Sequence, residues 1–487
     1  MKNIKKIIFD LETSGLSNFF AQILSAYFLS EDSSNKSSEI ILDVKCSMDW
    51  SRLPETEALI VNGYPLPSLV QESSLYNGIH EIVKFVDENT PAIWIAHNAS
   101  FDSGMVSNAI YQNLASVNLY PFKNNGNTLF DSLMLVRALH GFDNLSGVNI
   151  PIDDKGYPVF KLESLCKANS IEINAHDAEG DTRALKQLVE LVEEKSPAIY
   201  ENALLCSSKR YVRQKIMDQP YVFAAVGTER NFGVRALAPI AFSKEGSDVV
   251  VVDLSSDLES IKNYSPLELC GFLGNRVHKK YSVFRLPLNK GNVIFSPDEL
   301  PFIMQLTADF DEKDLFRKAS MVRRDENLHQ TAKEALSWRS DSFGSESPTP
   351  EERIYSHFPT SGEKTFINAF NLAEPQDKWE LIEHYSNVLK DDRFLRLARR
   401  VALQNWRSYC PPELVESFTG WCVERLFSDP MTQEEVPKWA TIYSCLSSVS
   451  NLRRKYPDKS ERIDELEDFY HSIAARVGID TSQSFDN

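Results

Sequence analysis

Over the first 200 positions, apolar residues switch between a period of two and a period near 3.6. Lys5-Lys6-Ile7-Ile8-Phe9-Asp10-Leu11-Glu12 reads as a buried strand of β-branched and aromatic residues. Strand alternation puts Ile7, Phe9 and Leu11 on one face and Ile8, Asp10 and Glu12 on the other. Leu24–Leu29 and Ile40–Cys46 are further apolar runs, and the polar stretch Glu31–Glu39 between them predicts a hairpin. Ser73–Glu88 has helical spacing through Leu75, Ile79, Ile82, Val83 and Phe85 or Val86. Ala92–Ala96 predicts a short buried strand ending at His97. Leu129–His140, Leu162–Ala168 and Ala178–Glu194 read as helices. Strands first, then strands alternating with helices, predict a mixed sheet covered by helices.

The pattern changes further along. A basic stretch, Lys209-Arg210-Tyr211-Val212-Arg213-Gln214-Lys215, leads into a strand-rich region whose clearest strands are Phe232–Phe242, Val249–Leu254 and Val293–Phe295. Residues 340–350, Ser-Asp-Ser-Phe-Gly-Ser-Glu-Ser-Pro-Thr-Pro, read as a linker. The linker runs into Thr349-Pro350-Glu351-Glu352, a helix start with a capping box and proline at the first helical position. Beyond it every periodic segment is helical. A length of 487 residues suits two or three domains. The expected division is an α/β part at 1–203, a β-rich middle at 204–345, an all-helical part at 349–478 and a flexible tail at 479–487.

Candidate chemistry sits in the first part. FDLETSG (9–15), HNASFD (97–102) and HDAEGDTRA (176–184) contribute Asp10, Glu12, Asp102, Asp181 and His176. Two acids two apart on one strand face repel each other unless a cation lies between them. Asp102 opens an apparent helix whose same-face neighbours are Met105, Val106 and Ala109. Asp181 heads a face with Ala184, Leu185, Leu188 and Val192. Carboxylates on a core-facing stripe are costly unless paired or metal-bound. Each motif alone is weak, since strand-end acids are usually solvated and Asp near a helix start commonly serves as a cap. Together they supply hard oxygen ligands for two divalent cations and an imidazole that titrates near neutral pH. That is the equipment of metal-assisted phosphodiester hydrolysis. Arg183 and Lys186 lie nearby in sequence, with nothing to show that they touch phosphate.

In its order, this set resembles the DEDD-type exonuclease superfamily, in its histidine-containing (DEDDh) branch on an RNase H-like fold. The resemblance implies Asp10, Glu12 and Asp181 on one metal, Asp10 and Asp102 on the second, and His176 as general base. Two Mg²⁺ ions are implied, with Mn²⁺ as a substitute, and mononucleotides released from a 3′ end. Over nearly the whole chain the sequence is similar to bacterial exonuclease I. The stretches at 160–184, 220–242 (PYVFAAVGTERNFGVRALAPIAF), 249–254 and 393–409 (RFLRLARRVALQNWRSY) carry that likeness. It implies an SH3-like middle domain and a helical C-terminal domain closing over the exonuclease domain to form a single-strand channel. It also implies a processive 3′→5′ exonuclease on single-stranded DNA, serving DNA repair or recombination. Recruitment by a single-stranded-DNA-binding protein is a further expectation.

Charge at first argues against nucleic acid, for the net charge is −17. Distribution alters the picture: residues 1–200 hold 15 Lys+Arg against 26 Asp+Glu, whereas 205–345 hold 20 against 18. Local clusters are Arg276, Lys279, Lys280 and Arg285, then Arg317, Lys318, Arg323 and Arg324. Arg393, Arg396, Arg400 and Arg407 recur at helical spacing with Gln404 and Trp406 beside them. That row suits a groove that tracks phosphates and stacks bases, or else a helix face pairing with acidic neighbours. Thr13, Lys161, Arg210, Arg393, Arg396 and Arg400 form the expected substrate-binding set. Trp338, Trp406 and Tyr211 are expected in the core. Seven scattered cysteines without a C-x-x-C pair give neither a zinc site nor a disulfide framework. No signal peptide and no apolar run near 18 residues is present, so a cytoplasmic monomer with no membrane partner is expected. Two other functions fit the motifs: an RNA-trimming DEDDh enzyme and a catalytically silent single-strand-binding scaffold. Keeping five mutually costly residues intact argues against the scaffold.

Overall fold

The computed structural model describes residues 4–31, 39–143, 146–173, 177–228, 230, 232–261, 264–274, 282–302, 311–341, 348–428 and 436–476. His176, the cluster Arg276, Lys279 and Lys280, most of the expected linker and the tail at 479–487 lie outside these residues.

The first sheet is built from β1 (Lys5–Thr13), β2 (Ile23–Glu31), β3 (Glu39–Lys45), β4 (Ala92–Ala96) and β5 (Thr128–Asp131). Their order is β3-β2-β1-β4-β5; β1, β2 and β3 pair antiparallel, while β4 and β5 run parallel to β1. This is the mixed, helix-covered sheet of the RNase H-like type. The expected helix Leu129–His140 needs correction: its first residues are strand β5, and the helix proper is Ser132–Phe142. Four strand residues running directly into an apolar helix leave no period of their own. Asp131 marks the junction by accepting a hydrogen bond from the Leu133 N–H at 3.0 Å.

Alternation along β1 is realised as sequence dictates. Ile7, Phe9 and Leu11 join one core, backed by the helices Leu75–Glu88 and Ala99–Gln112. Phe9 stacks on Phe28 at 5.2 Å and lies 4.8 Å from Phe122 and 6.5 Å from Trp94 between ring centroids. Burying each large aromatic contributes roughly 2–3 kcal/mol. The strand's acidic face is therefore presented from a rigid back. Ile8 faces the opposite core, under the helix Ala178–Lys195.

A second sheet comprises β6 (Val222–Val226), β7 (Gly233–Phe242), β8 (Asp248–Asp253), β9 (Val283–Pro287) and β10 (Ile294–Phe295). It is antiparallel throughout, in the order β10-β6-β7-β8-β9. Strands β6 and β9 are additions to the sequence reading. Among the described residues from Pro350 to Arg476, every regular element is helical. Thr349 is the expected cap, its N–H donating to Glu352 Oε2 at 3.0 Å, but the element it starts, Pro350–Tyr355, is a 3₁₀ helix.

The three regions are joined by shared cores. One core runs from Ile8, Ile93 and Leu185 into Val222, Val250 and Phe295 of the second sheet. Another runs from Phe9 and Val106 into Phe366, Phe394 and Leu397 of the helical region. The helix Pro197–Cys206 crosses position 203/204, with Tyr200 against Phe130 and the Asn202 side chain donating to the Ile294 carbonyl.

Candidate active site

Asp10 and Glu12 project from β1 on its Ile8 face, opposite Tyr27 and Ser25 of β2. Asp181 approaches that face from the first turn of Ala178–Lys195, where the helix dipole favours a carboxylate. One ligand oxygen from each of Asp10, Glu12 and Asp181 lies within 4.8 Å of the others. Two oxygens on opposite sides of a hard divalent cation stand about 4–5 Å apart. The all-oxygen donor set thus fits such a cation, Mg²⁺ or Mn²⁺ included.

Asp102 comes from the next parallel strand. β4 ends at Ala96, and Asp102 lies buried in the first turn of Ala99–Gln112. It falls outside the three-oxygen group but close enough to act on it. Burial first, then the charges of Asp102, Glu12 and Asp181, pushes Asp10 well above the usual carboxylate range. Glu12 is raised to about 8 by burial and by Asp181, Asp177 and Asp102. Burial and then Asp131 raise Asp102 to about 8. Acids that strain one another in this way release the strain when cations bind or protons add.

Cations nearby have partners of their own. Arg183 pairs with Glu179 at 2.8 Å and Glu39 at 3.0 Å, and donates to the Tyr27 hydroxyl; Lys186 lies 3.3 Å from Glu190. His97, at the end of β4, is pinned between Ser132 Oγ at 2.8 Å and the Phe160 carbonyl at 2.7 Å. Burial brings its pKa down to about 4, so it braces the site as a neutral ring.

Asp131 was not singled out by sequence. It holds the Asn98 and Leu133 N–H groups at 3.0 Å, with burial raising its pKa to about 6. Phe-Asp-Ser at 130–132 repeats Phe-Asp-Ser at 101–103, a signal that could have marked it. Lys290 and Lys123 carry charge close enough to act on Asp131, Lys290 from the turn after β9. Asp177, adjoining His176, is a further carboxylate felt by Glu12.

The expected substrate-binding set disperses. Thr13 is buried, its hydroxyl donating to the Gly15 carbonyl at 2.9 Å. Lys161 and Arg210 are exposed, at the start of Leu162–Ala168 and on Lys209–Asp218. Arg393 has no exposed surface: it pairs with Glu363 at 3.1 Å and donates to the Arg353 and His357 carbonyls at 3.0 Å. Arg400 is buried against Glu351 at 2.9 Å and Gln112 at 3.1 Å. Neither can track phosphate, which corrects the basic-row expectation in favour of pairing within the fold. Arg396 is exposed and pairs with Asp392 at 2.6 Å. Among the remaining basic residues, Arg285 pairs with Asp248 and Arg317 and Lys318 with Asp314, while Arg323 and Arg324 stay exposed. Trp406 and Tyr211 are partly buried, whereas Trp338, expected in the core, is 46 % exposed.

A mixed sheet of this order, with acids gathered at the carboxyl ends of its central strands, is the arrangement that the resemblance to DEDD-type nucleases leads one to expect. By sequence and fold, the chain is similar to bacterial exonuclease I. It is 31% identical over 235 residues to exodeoxyribonuclease I of Haemophilus influenzae, covering 46% of this chain and 48% of that enzyme. With exodeoxyribonuclease I of Buchnera aphidicola subsp. Schizaphis graminum the identity is 22% over 93% of this chain and 95% of the relative. An exonuclease I from Methylocaldum szegediense superposes with a TM-score of 0.82 at 20% identity, covering 97% of this chain and 99% of that one. E. coli exonuclease I in complex with a dA16 oligonucleotide also gives 0.82, at 18% identity over 98% and 100%. At those identities the structural likeness is one of fold. No protein-family model matches the chain. Among the described residues no helix is long and apolar enough to cross a membrane.

Proposed function

We propose that this chain is a 3′→5′ exonuclease that degrades single-stranded DNA processively to 5′-mononucleotides by two-metal-ion hydrolysis. The convergence of Asp10, Glu12 and Asp181 within 4.8 Å carries the reading. Asp10, Glu12 and Asp181 would hold one divalent cation, and Asp10 with Asp102 the second. Mg²⁺ is the expected ion, and the pair would neutralise charge on the attacking and leaving oxygens. His176 would take the proton of the attacking water, one residue before Asp177 at the N-terminal end of the helix that carries Asp181. Asp131 and His97 hold the strand ends that aim the acids.

The expected layout remains an exonuclease domain at 1–203, an SH3-like domain at 204–345 and a helical domain at 349–478. Single-stranded DNA is the proposed substrate, and a single-stranded-DNA-binding protein a proposed partner. Solved relatives in complex with dA16 and an ExoI/SSB-Ct complex support both. Repair or recombination in the cytoplasm, by a monomer, completes the proposal.

The test follows 3′-labelled and 5′-labelled single-stranded DNA and a matched RNA, with Mg²⁺ or EDTA. Early release of the 3′ label as mononucleotide, abolished by EDTA and slower on RNA and duplex, is the expected result. Faster loss of RNA would move the substrate class, and binding without cleavage would remove the catalytic reading.

A further inference from the structure

A second charged cluster lies between the first sheet and the helical region. Arg52, Arg400 and Arg425 are 4, 7 and 6% exposed, and the carboxylates paired with them are Asp49 and Glu351. Three guanidinium groups on two carboxylates leave one buried positive charge in excess. Nε of Arg400 and Nε of Arg425 are both buried without a hydrogen-bond partner. An excess charge and unpaired buried donors are costly in a dry site and call for an anion or acceptor.

Both arginines line a cavity of about 410 Å³ between Pro350 and the helices Arg393–Asn405 and Pro412–Leu426. Its wall is apolar and aromatic, with Leu397, Leu403, Phe418 and Trp421. Phe418 and Trp421 stack at 5.5 Å, and Trp421 is 38% exposed. At the rim stand Arg396, exposed, and Arg399, partly exposed; Arg399 reaches its partner Glu383 only at 3.4 Å. Volume, apolar lining and a few convergent cations are the attributes of a small-ligand site. An aromatic wall beneath guanidinium groups suits a base joined to a phosphate.

We propose that this cavity binds a nucleotide, with its base against Phe418 and Trp421 and its phosphate between Arg396 and Arg399, over the excess positive charge of Arg400 and Arg425. The nucleotide is either a free mononucleotide or one residue of a single strand; only the second source rests on the proposed DNA substrate. It is not the nucleotide being cleaved. Arg400 reaches Gln112 at the end of the helix whose first turn carries Asp102, ten residues or roughly 15 Å away along the helix axis.

The test uses the full chain in EDTA, so that nothing is hydrolysed. Thymidine monophosphate and fluorescein-labelled oligothymidylates of increasing length are titrated by tryptophan quenching and anisotropy. Arg399→Glu, on a partly exposed side chain, should weaken binding about tenfold at a melting temperature near the wild type's, and Trp421→Ala should remove much of the quench. Binding of the monophosphate identifies a free-nucleotide site, and binding of oligomers alone a strand site. Wild-type affinity in both variants overturns the proposal. Cleavage by the wild type in Mg²⁺ is scored separately, so failed hydrolysis with intact binding would count against the exonuclease reading alone.

Discussion

The acidic cluster on β1 and the arginine clusters of the helical region are both buried collections of charge, and they resolve it in opposite ways. Arg393 and Glu363 meet at 3.1 Å and are almost fully buried, with backbone carbonyls taking the remaining donors. Burial raises Glu351, but Arg400, Arg425 and Arg52 outweigh it and hold the carboxyl down at about 2. On β1 the sign is reversed, with each acid raised by burial and by its neighbours. A charge neutralised inside the fold, as Glu363 is by Arg393, holds the fold together. Charges of one sign gathered inside it hold a place for something else.

The largest expected effect falls on the acidic side. Asp10→Asn should reduce 3′-end cleavage on the order of 10³-fold or more, because both proposed cations lose a shared ligand. Binding of single-stranded DNA should persist, and melting in EDTA should move upward as one repelling charge disappears. Retained cleavage would dissolve the contrast between the two clusters. On the other side, Arg393→Ala leaves Glu363 buried without its cation. Breaking such a pair costs about 3–5 kcal/mol. Urea unfolding should register that loss, and a variant as stable as the wild type would show that Arg393 is not a structural ion-pair member.

Legibility in the sequence divides along the same line. Asp10 and Glu12 were readable because two residues on one strand necessarily share a face. Asp102 and Asp181 were readable because an acid on an apolar helical stripe demands a partner. Arg393 and Arg400 misled because their partners, Glu363, Glu351 and Gln112, lie 30, 49 and 288 residues away, and periodicity reports a face but never what covers it. Strand β5 was absorbed into the helix after it for a local reason, since four residues are too few to show alternation. Helical segments of the C-terminal part were legible from period alone. That Phe394 and Leu397 of this part would share a core with Phe9 of β1 was not.

The pH dependence of stability sharpens the comparison further. Glu12 and Asp102 sit near 8 in the folded chain, against about 4 when unfolded. Below pH 4 both are protonated in either state and impose no penalty. As pH rises towards and through 8, the folded chain must ionise them against one another while the unfolded chain already has done so, and stability falls. In EDTA the melting temperature should therefore fall from about pH 4 to about pH 8 and level off above that. Mg²⁺ should restore it, more at pH 8.5 than at pH 6, since protons compete for the same oxygens. A flat profile would mean that the acids are relieved by something within the chain.

Arg396 supplies the smallest effect and the cleanest control. It sits one helical turn from Arg393 and also pairs with an acid, Asp392 at 2.6 Å, yet both side chains are about half exposed. Water already solvates such a pair, so it contributes ~0.2–1 kcal/mol. Arg396→Ala should shift the urea midpoint barely, and raising the salt concentration should shrink the difference. If its cost equalled that of Arg393→Ala, burial would not be what separates the charges that hold this fold from those that decorate it.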